Sequence, residues 1–204
     1  MLELDHLAVA GETLEEAAAA VEAALGVAMQ AGGRHARFGT HNRLLGLADG
    51  LYLEAIAIDP EAPAPDRPRW FDLDRFSGPA RLHNWICRAR DLDAALARLG
   101  PGAGAPVALE RGALRWRMAV PADGRLAHDE CHPAVMQWDC AAHPADMLPA
   151  SGCALHRLVV VHPEAHALRE LLAPLLTDPR VAFEAGAPAL MAEIDTPHGR
   201  RALR

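Results

Sequence analysis

Apolar and polar positions alternate with period two over several short stretches of this chain, with helical spacing between them. Residues 2–10, LELDHLAVA, place Leu2, Leu4, His6 and Ala8 on one side of a predicted strand that ends at Gly11. Thr13 and Glu16 then stand at capping-box spacing ahead of an apolar stripe through Leu14, Ala17, Val21 and Leu25, and Gly26 follows as a stop signal. After a predicted turn at Gly32 and Gly33, HARFGTH and NRLLGLAD read as two strands, and Asp49-Gly50 leads into a third, LYLEAIAIDP. The first unit is therefore β-α-β-β-β.

The pattern restarts after a Pro-rich and charged segment, residues 61–80, which reads as a linker with a short helix around Trp70 to Phe76. RLHNWICRA is a predicted strand, DLDAALARLG a helix capped by Asp91 and stopped by Gly100, and VALER, ALRWRMAVP and AVMQWDC are strands. A shorter third copy begins at CALHRLVVVHP, with Pro174 ending or kinking its helix. The predicted organisation is a first module over 1–60, a linker over 61–80, a second module over 81–140 and a C-terminal module over 152–204. The expected fold class is α+β, with paired βαβββ modules and a third, partial βαβ-type module at the C-terminus.

Composition narrows the function classes. The 204 residues carry 51% hydrophobic residues, enough for a sizeable core, and a net charge of −7 with Arg scattered, which argues against a nucleic-acid surface. No apolar run is long enough to span a membrane, and acidic residues stand where a secretory signal would be basic, so a cytoplasmic location is expected. Cys87, Cys131, Cys140 and Cys153 fit no CxxC pattern and read as reduced, buried thiols.

Chemistry concentrates on Glu54. Tyr52, Glu54, Ile56 and Ile58 share one face of a strand apolar on both faces, and a buried carboxylate needs a partner, either an Arg or a metal. Laying the two modules over each other sets His6 opposite His83 and Glu54 opposite Gln137, so four side chains would converge between facing modules. Two His and one carboxylate suffice for Fe, Zn, Mn, Co or Ni with open positions for a substrate; Gln137 is a weak fourth ligand, and Asp139, two residues on, would share its face. His41, Asn42 and Arg43 in GTHNR either line the cavity mouth or form a polar turn. Arg115 and Arg117 bind an acidic substrate or face solvent, and Tyr52, Trp85 and Trp138 are cavity or core aromatics. His132, His143 and His162, each in a His-Pro pair, read as turn residues.

LDHLAVAG, GTHNRLLGL with YLEAIAIDP, LHNWI, and the later LHRLVVVHP with DTPHGR resemble the vicinal oxygen chelate superfamily, and within it the glyoxalase-like branch of small bacterial proteins. The resemblance covers nearly the whole chain. It implies paired modules whose mixed β-sheets curl around a central cavity and hold a divalent metal that chelates adjacent oxygens of a small molecule, with ligands at His6, Glu54, His83 and, where metal isomerases commonly have a carboxylate, Gln137. Two reactions follow from it: isomerisation through an enediolate with Glu54 as base, and extradiol ring cleavage with His41 as the further acid-base residue. The alternative is a metal-free protein of the antibiotic-sequestering type. The small-molecule substrate is the expected partner, a homodimer is allowed, and the third copy is expected to cover an edge or form a dimer contact.

Overall fold

The computed structural model describes residues 1–204. Eight strands, β1 (Leu2–Ala10), β2 (Gln30–His35), β3 (Thr40–Gly46), β4 (Tyr52–Ile58), β5 (Arg81–Ala89), β6 (Ala105–Arg111), β7 (Leu114–Val120) and β8 (Ala134–Trp138), form one mixed sheet in the order β2-β3-β4-β1-β5-β8-β7-β6. Each half repeats the same connectivity: β1 pairs parallel to β4, β5 parallel to β8, and the halves join through the antiparallel β1–β5 ladder. The sheet curls until its two edges approach, and Arg111 at the end of β6 bonds to His35 and Asn42 on β2 and β3.

The helices form where the apolar spacing predicts. Helix α1 (Leu14–Leu25) has the Thr13–Glu16 capping box and a left-handed Gly26, and buries Leu14, Ala17, Ala18, Val21 and Leu25. Asp91 caps α2 (Leu92–Leu99) through the Ala94 N–H. Both pack on the convex face, in one core with Leu7, Leu53, Trp85 and Val135. The concave face holds a smaller cluster in which Phe38, Trp70 and Phe71 cover Ala8, Ile56, Ile86 and Met136. Residues 61–80 contribute only the short turn Trp70–Asp72 to regular structure.

Two expectations change. Gly32 and Gly33 lie within β2 rather than at a turn, where the ladder to β3 slips between Ala31 and Arg34. A Cβ on Gly32 would stand 2.1 Å from Asn42 Oδ1 and 2.5 Å from its carbonyl oxygen, so the glycine permits a close backbone approach. The GTHN segment is not a turn either, since Thr40, His41 and Asn42 open β3.

After α3 (Pro144–Met147), β9 (Ala154–Val161), α4 (Ala165–Leu172), β10 (Val181–Glu184), β11 (Ala189–Thr196) and β12 (Gly199–Leu203) form a second sheet in the order β10-β9-β11-β12. Here the strand after the helix pairs directly and parallel with the strand before it. The third unit therefore repeats the element order of the first two without their pairing. Its Leu158, Val160, Ala192 and Ile194 join the convex core, so it covers the back of the large sheet. No helix is long and apolar enough to cross a membrane.

Candidate functional site

The concave face encloses a cavity of about 30 Å³, and His6, Glu54, Asn42 and Tyr52 reach it from the first module. Parity places them there: β3 and β4 pair Asn42 with Ile56 and Leu44 with Glu54, while β1 and β4 pair His6 with Tyr52. His6 stacks on Tyr52 with ring centroids 4.3 Å apart.

A bulge brings in a residue that alternation alone would point away. Leu4 pairs with Cys87 and His6 with Ile86, leaving Asp5 as an extra residue in β1. Its fully buried carboxylate accepts from His6 Nδ1 at 2.7 Å, Trp138 Nε1 at 2.9 Å and His143 Nε2 at 3.1 Å. Burial pushes the Asp5 pKa up, but the bonds from His143, His6 and Trp138 outweigh it and hold the group well below the usual carboxylate range. Asp5 takes the bond from His6 Nδ1 and so fixes the orientation of the ring, whose Nε2 faces Glu54 Oε2 at 3.7 Å.

The other Glu54 oxygen accepts from Asn42 Nδ2 at 2.5 Å. The Gly33 N–H, donating to Asn42 Oδ1 at 2.7 Å, sets which way that amide points. Asn42 Oδ1 also faces Arg111 Nη1 at 3.4 Å, and Arg111 Nη1 donates to His35 Nε2 at 3.1 Å. His35 Nδ1 in turn bonds Thr40 Oγ1 at 3.1 Å. Burial, with the Arg111 charge second, depresses the His35 pKa to about 3 and keeps its ring neutral. A buried polar chain thus runs from Asp5 through His6, Glu54 and Asn42 to Arg111 and His35.

The second module supplies no ligand to this point. From β8 the cavity is lined by Met136 and Trp138, which puts Gln137 on the opposite face. Gln137 Oε1 accepts from the Leu92 N–H at the start of α2, and its Nε2 bonds Asp139. Asp139 pairs with Arg117, which also holds Asp93, and Arg115 pairs with Glu110. His83 is the extra residue of a second bulge, because Val9 pairs with Leu82 and Ala8 with Asn84. Its Nε2 donates to the Phe71 carbonyl at 2.9 Å, and its ring lines a separate groove with Arg81, Glu130 and Cys131. The expected convergence of His6, Glu54, His83 and Gln137 is therefore reduced to its first-module half. His41 and Arg43 pair with Ala57 and Ala55 on the convex face, away from Asn42. Trp85 is convex core, with its indole N–H on the Cys131 carbonyl.

Comparison with known proteins agrees with this architecture. The model of the glyoxalase-like domain family matches residues 4–176. The chain belongs to the glyoxalase-like domain family. That places it in the vicinal oxygen chelate superfamily. A hypothetical protein from Staphylococcus aureus, 13% identical, shares the fold at a TM-score of 0.62 over 92% of this chain and 88% of that one. Methylmalonyl-CoA epimerase from Mycobacterium tuberculosis aligns at 0.44, with 21% identity over 68% of this chain and 88% of that one. The Mn(II)-bound glyoxalase from Novosphingobium aromaticivorans aligns at 0.49, with 9% identity over 98% and 81%. No curated protein matches the chain.

A divalent metal, which the glyoxalase-like fold suggests, is poorly matched by these donors. His6 Nε2 and Glu54 Oε2 are the two that could hold one, with Asp5 orienting the imidazole. Protein-held sites of this kind use about three or four ligands, and no group of three or more His, Cys, Asp or Glu side chains is arranged to hold an ion. The inward second-module side chains are apolar or aromatic, and the one charge beside them is the Arg111 guanidinium, which repels a cation.

Proposed function

We propose that this glyoxalase-like protein is an enzyme that moves a proton on carbon beside a carbonyl, in a small molecule with adjacent oxygens, with His6 and Glu54 as its acid-base pair. The observation that carries the reading is the Asp5–His6 pair, which aims His6 Nε2 across the cavity at Glu54. His6 Nε2 takes the proton as the C–H bond breaks, the electron pair delocalises onto the carbonyl as an enediolate, and return of the proton to the neighbouring carbon completes an isomerisation without net redox change. Glu54, held by Asn42, shuttles the hydroxyl proton between the two oxygens. The donor set does not assemble the Fe(II) ligand triad that ring cleavage needs.

Sequestration of a drug-sized ligand, the alternative, needs a pocket of roughly 300 Å³ or more, against about 30 Å³ here. A cavity of that size matches the reacting end of a small substrate and no more.

The test is solvent-deuterium incorporation at the α-carbon, followed by NMR, over hemithioacetals, hydroxy ketones and 2-hydroxy and 2-oxo acids. Wild type is expected to exchange at least one class, and His6→Gln and Glu54→Gln to lose about 100-fold or more. Exchange unaffected by both variants sinks the assignment. Stoichiometric metal in the purified protein, lost in both variants, would replace it with the metal-dependent reading, and catechol cleavage under oxygen would then identify the dioxygenase.

A further inference from the structure

The polar chain ends on a cation without a counterion. Arg111 is half-buried, and both of its hydrogen bonds go to neutral groups, His35 Nε2 and Asn42 Oδ1, through Nη1 alone. No carboxylate lies within ion-pairing distance of it, and it is the one Arg that lines the cavity. Its Nε and Nη2 have no protein partner. The fold makes room for this side chain: a Cβ on Gly33 would lie 2.7 Å from Arg111 Cδ and 3.2 Å from Nε.

A second donor in the same cavity is also unsatisfied. Trp70 is 3% exposed, and its indole Nε1 is buried with no acceptor. A buried donor left unpaired is costly, which applies to the Trp70 indole; the free Arg111 N–H groups are not buried and remain open to a ligand. Both groups line the cavity that His6 and Glu54 face. The missing partner is an acceptor, and the guanidinium specifies that it is anionic.

We propose that Arg111, assisted by the Trp70 indole N–H, is the carboxylate receptor of this site, and that the substrate class is a small 2-oxo or 2-hydroxy carboxylate. The substrate carboxylate takes the free Nε and Nη2 donors in the two-pronged geometry a guanidinium offers. Its adjacent oxygen then lies toward His6 and Glu54. The assignment rests on the proton-transfer reading for the identity of the reacting pair, but not for the anion site itself.

The probe is oxalate, a small dicarboxylate with adjacent oxygens and no α-hydrogen, titrated calorimetrically into the full chain beside its neutral counterpart, oxamide. Wild type is expected to bind oxalate in preference to oxamide. Arg111→Met is expected to lose about 10- to 100-fold in oxalate affinity, Arg111→Lys to lose less, and Trp70→Phe to weaken oxalate with its fold intact by circular dichroism. Should the Met variant not fold, the Lys variant carries the comparison. Equal oxalate binding by wild type and the Arg111 variants, or a wild-type preference for oxamide, overturns the proposal. Deuterium exchange confined to neutral hydroxy ketones would also overturn it while leaving the His6–Glu54 chemistry standing. Arg111-dependent oxalate binding with no exchange on any substrate would do the reverse.

Discussion

The bond from Asn42 to Glu54 couples stability to the candidate site, and its removal can be sized. Asn42 and Glu54 are each 5% exposed, so water does not replace a lost partner. Asn42→Ala strips Glu54 Oε1 of its donor, and a hydrogen bond to a charged group contributes about 1.5–3 kcal/mol. It also leaves the Gly33 N–H without its acceptor, at a further cost of about 1 kcal/mol. The expected total is about 3 kcal/mol. In a Glu54→Gln background the carboxylate is gone and only the Gly33 share and a neutral bond remain, so the same substitution should cost about 1 kcal/mol less. Urea unfolding of wild type, the two single variants and the double variant at pH 7.5 closes the cycle, provided the denaturant slope stays constant. Additivity within about 0.4 kcal/mol would mean that the Asn42–Glu54 bond contributes nothing specific, and that the orientation of Glu54 has another cause.

Gly32→Ala should destabilise by roughly 1–3 kcal/mol, because its Cβ meets the Asn42 backbone oxygen as well as the flexible amide; a melting temperature within a degree of wild type refutes the close approach. Glu130 has its pKa raised to about 7, chiefly by burial. The native state therefore keeps a proton that the unfolded chain has lost between pH 4.5 and 7, and stability falls as pH rises through that window, by at most roughly 3 kcal/mol. Glu130→Gln should match wild type at pH 4 and exceed it at pH 8; a difference independent of pH counts against this. His132, depressed to about 4 by burial, is neutral in the fold and charged in the unfolded chain below pH 6.5, so stability is full above 6.5 and is lost as pH falls toward 4. A His132→Gln variant should show a shallower acid limb in chemical denaturation, and an unchanged limb would point to other groups.

What the sequence carried and what it did not divides along local and long-range lines. The capping box at Thr13, the Gly26 stop and the two apolar faces of β4 are local signals, and each appears in the fold as the spacing requires. His6 and Glu54 meet because the first and last strands of a module are neighbours, which the repeat itself suggests. The errors arise where a strand holds one residue too many. Alternation assigns a face only in an unbroken strand, and the bulges at Asp5 and His83 each insert a residue. One makes a hidden partner of a residue that reads as a polar interruption. The other carries a histidine away from the cavity. Gln137 fails differently: overlaying the two modules sets Glu54 over Gln137 with a register one residue off, and the strand turns Met136 and Trp138 inward. Arg111 had no local signature, because its placement depends on the two far edges of an eight-stranded sheet meeting.

That closure also explains how a repeated architecture came to hold an asymmetric site. The first module supplies the polar chain from Asp5 to Asn42, in which Asp5 holds His6 and Asn42 holds Glu54 while His6 and Glu54 face each other at 3.7 Å. The second supplies Met118, Met136, Trp116 and Trp138 as an apolar wall and one guanidinium from its last edge strand. A low-polarity wall strengthens every charge interaction in the cavity, so a single cation there has a large effect on which ligand is accepted. Were both modules to present His and Glu at equivalent places, the site would suit a divalent cation and repel a substrate carboxylate until the ion was bound. With the second half apolar and Arg111 bonded only to neutral groups, the positive charge needed to draw an anionic substrate belongs to the chain itself. Recognition by Arg111 and proton transfer by His6 and Glu54 then fall to different modules, joined through Asn42, which bonds to both Arg111 and Glu54.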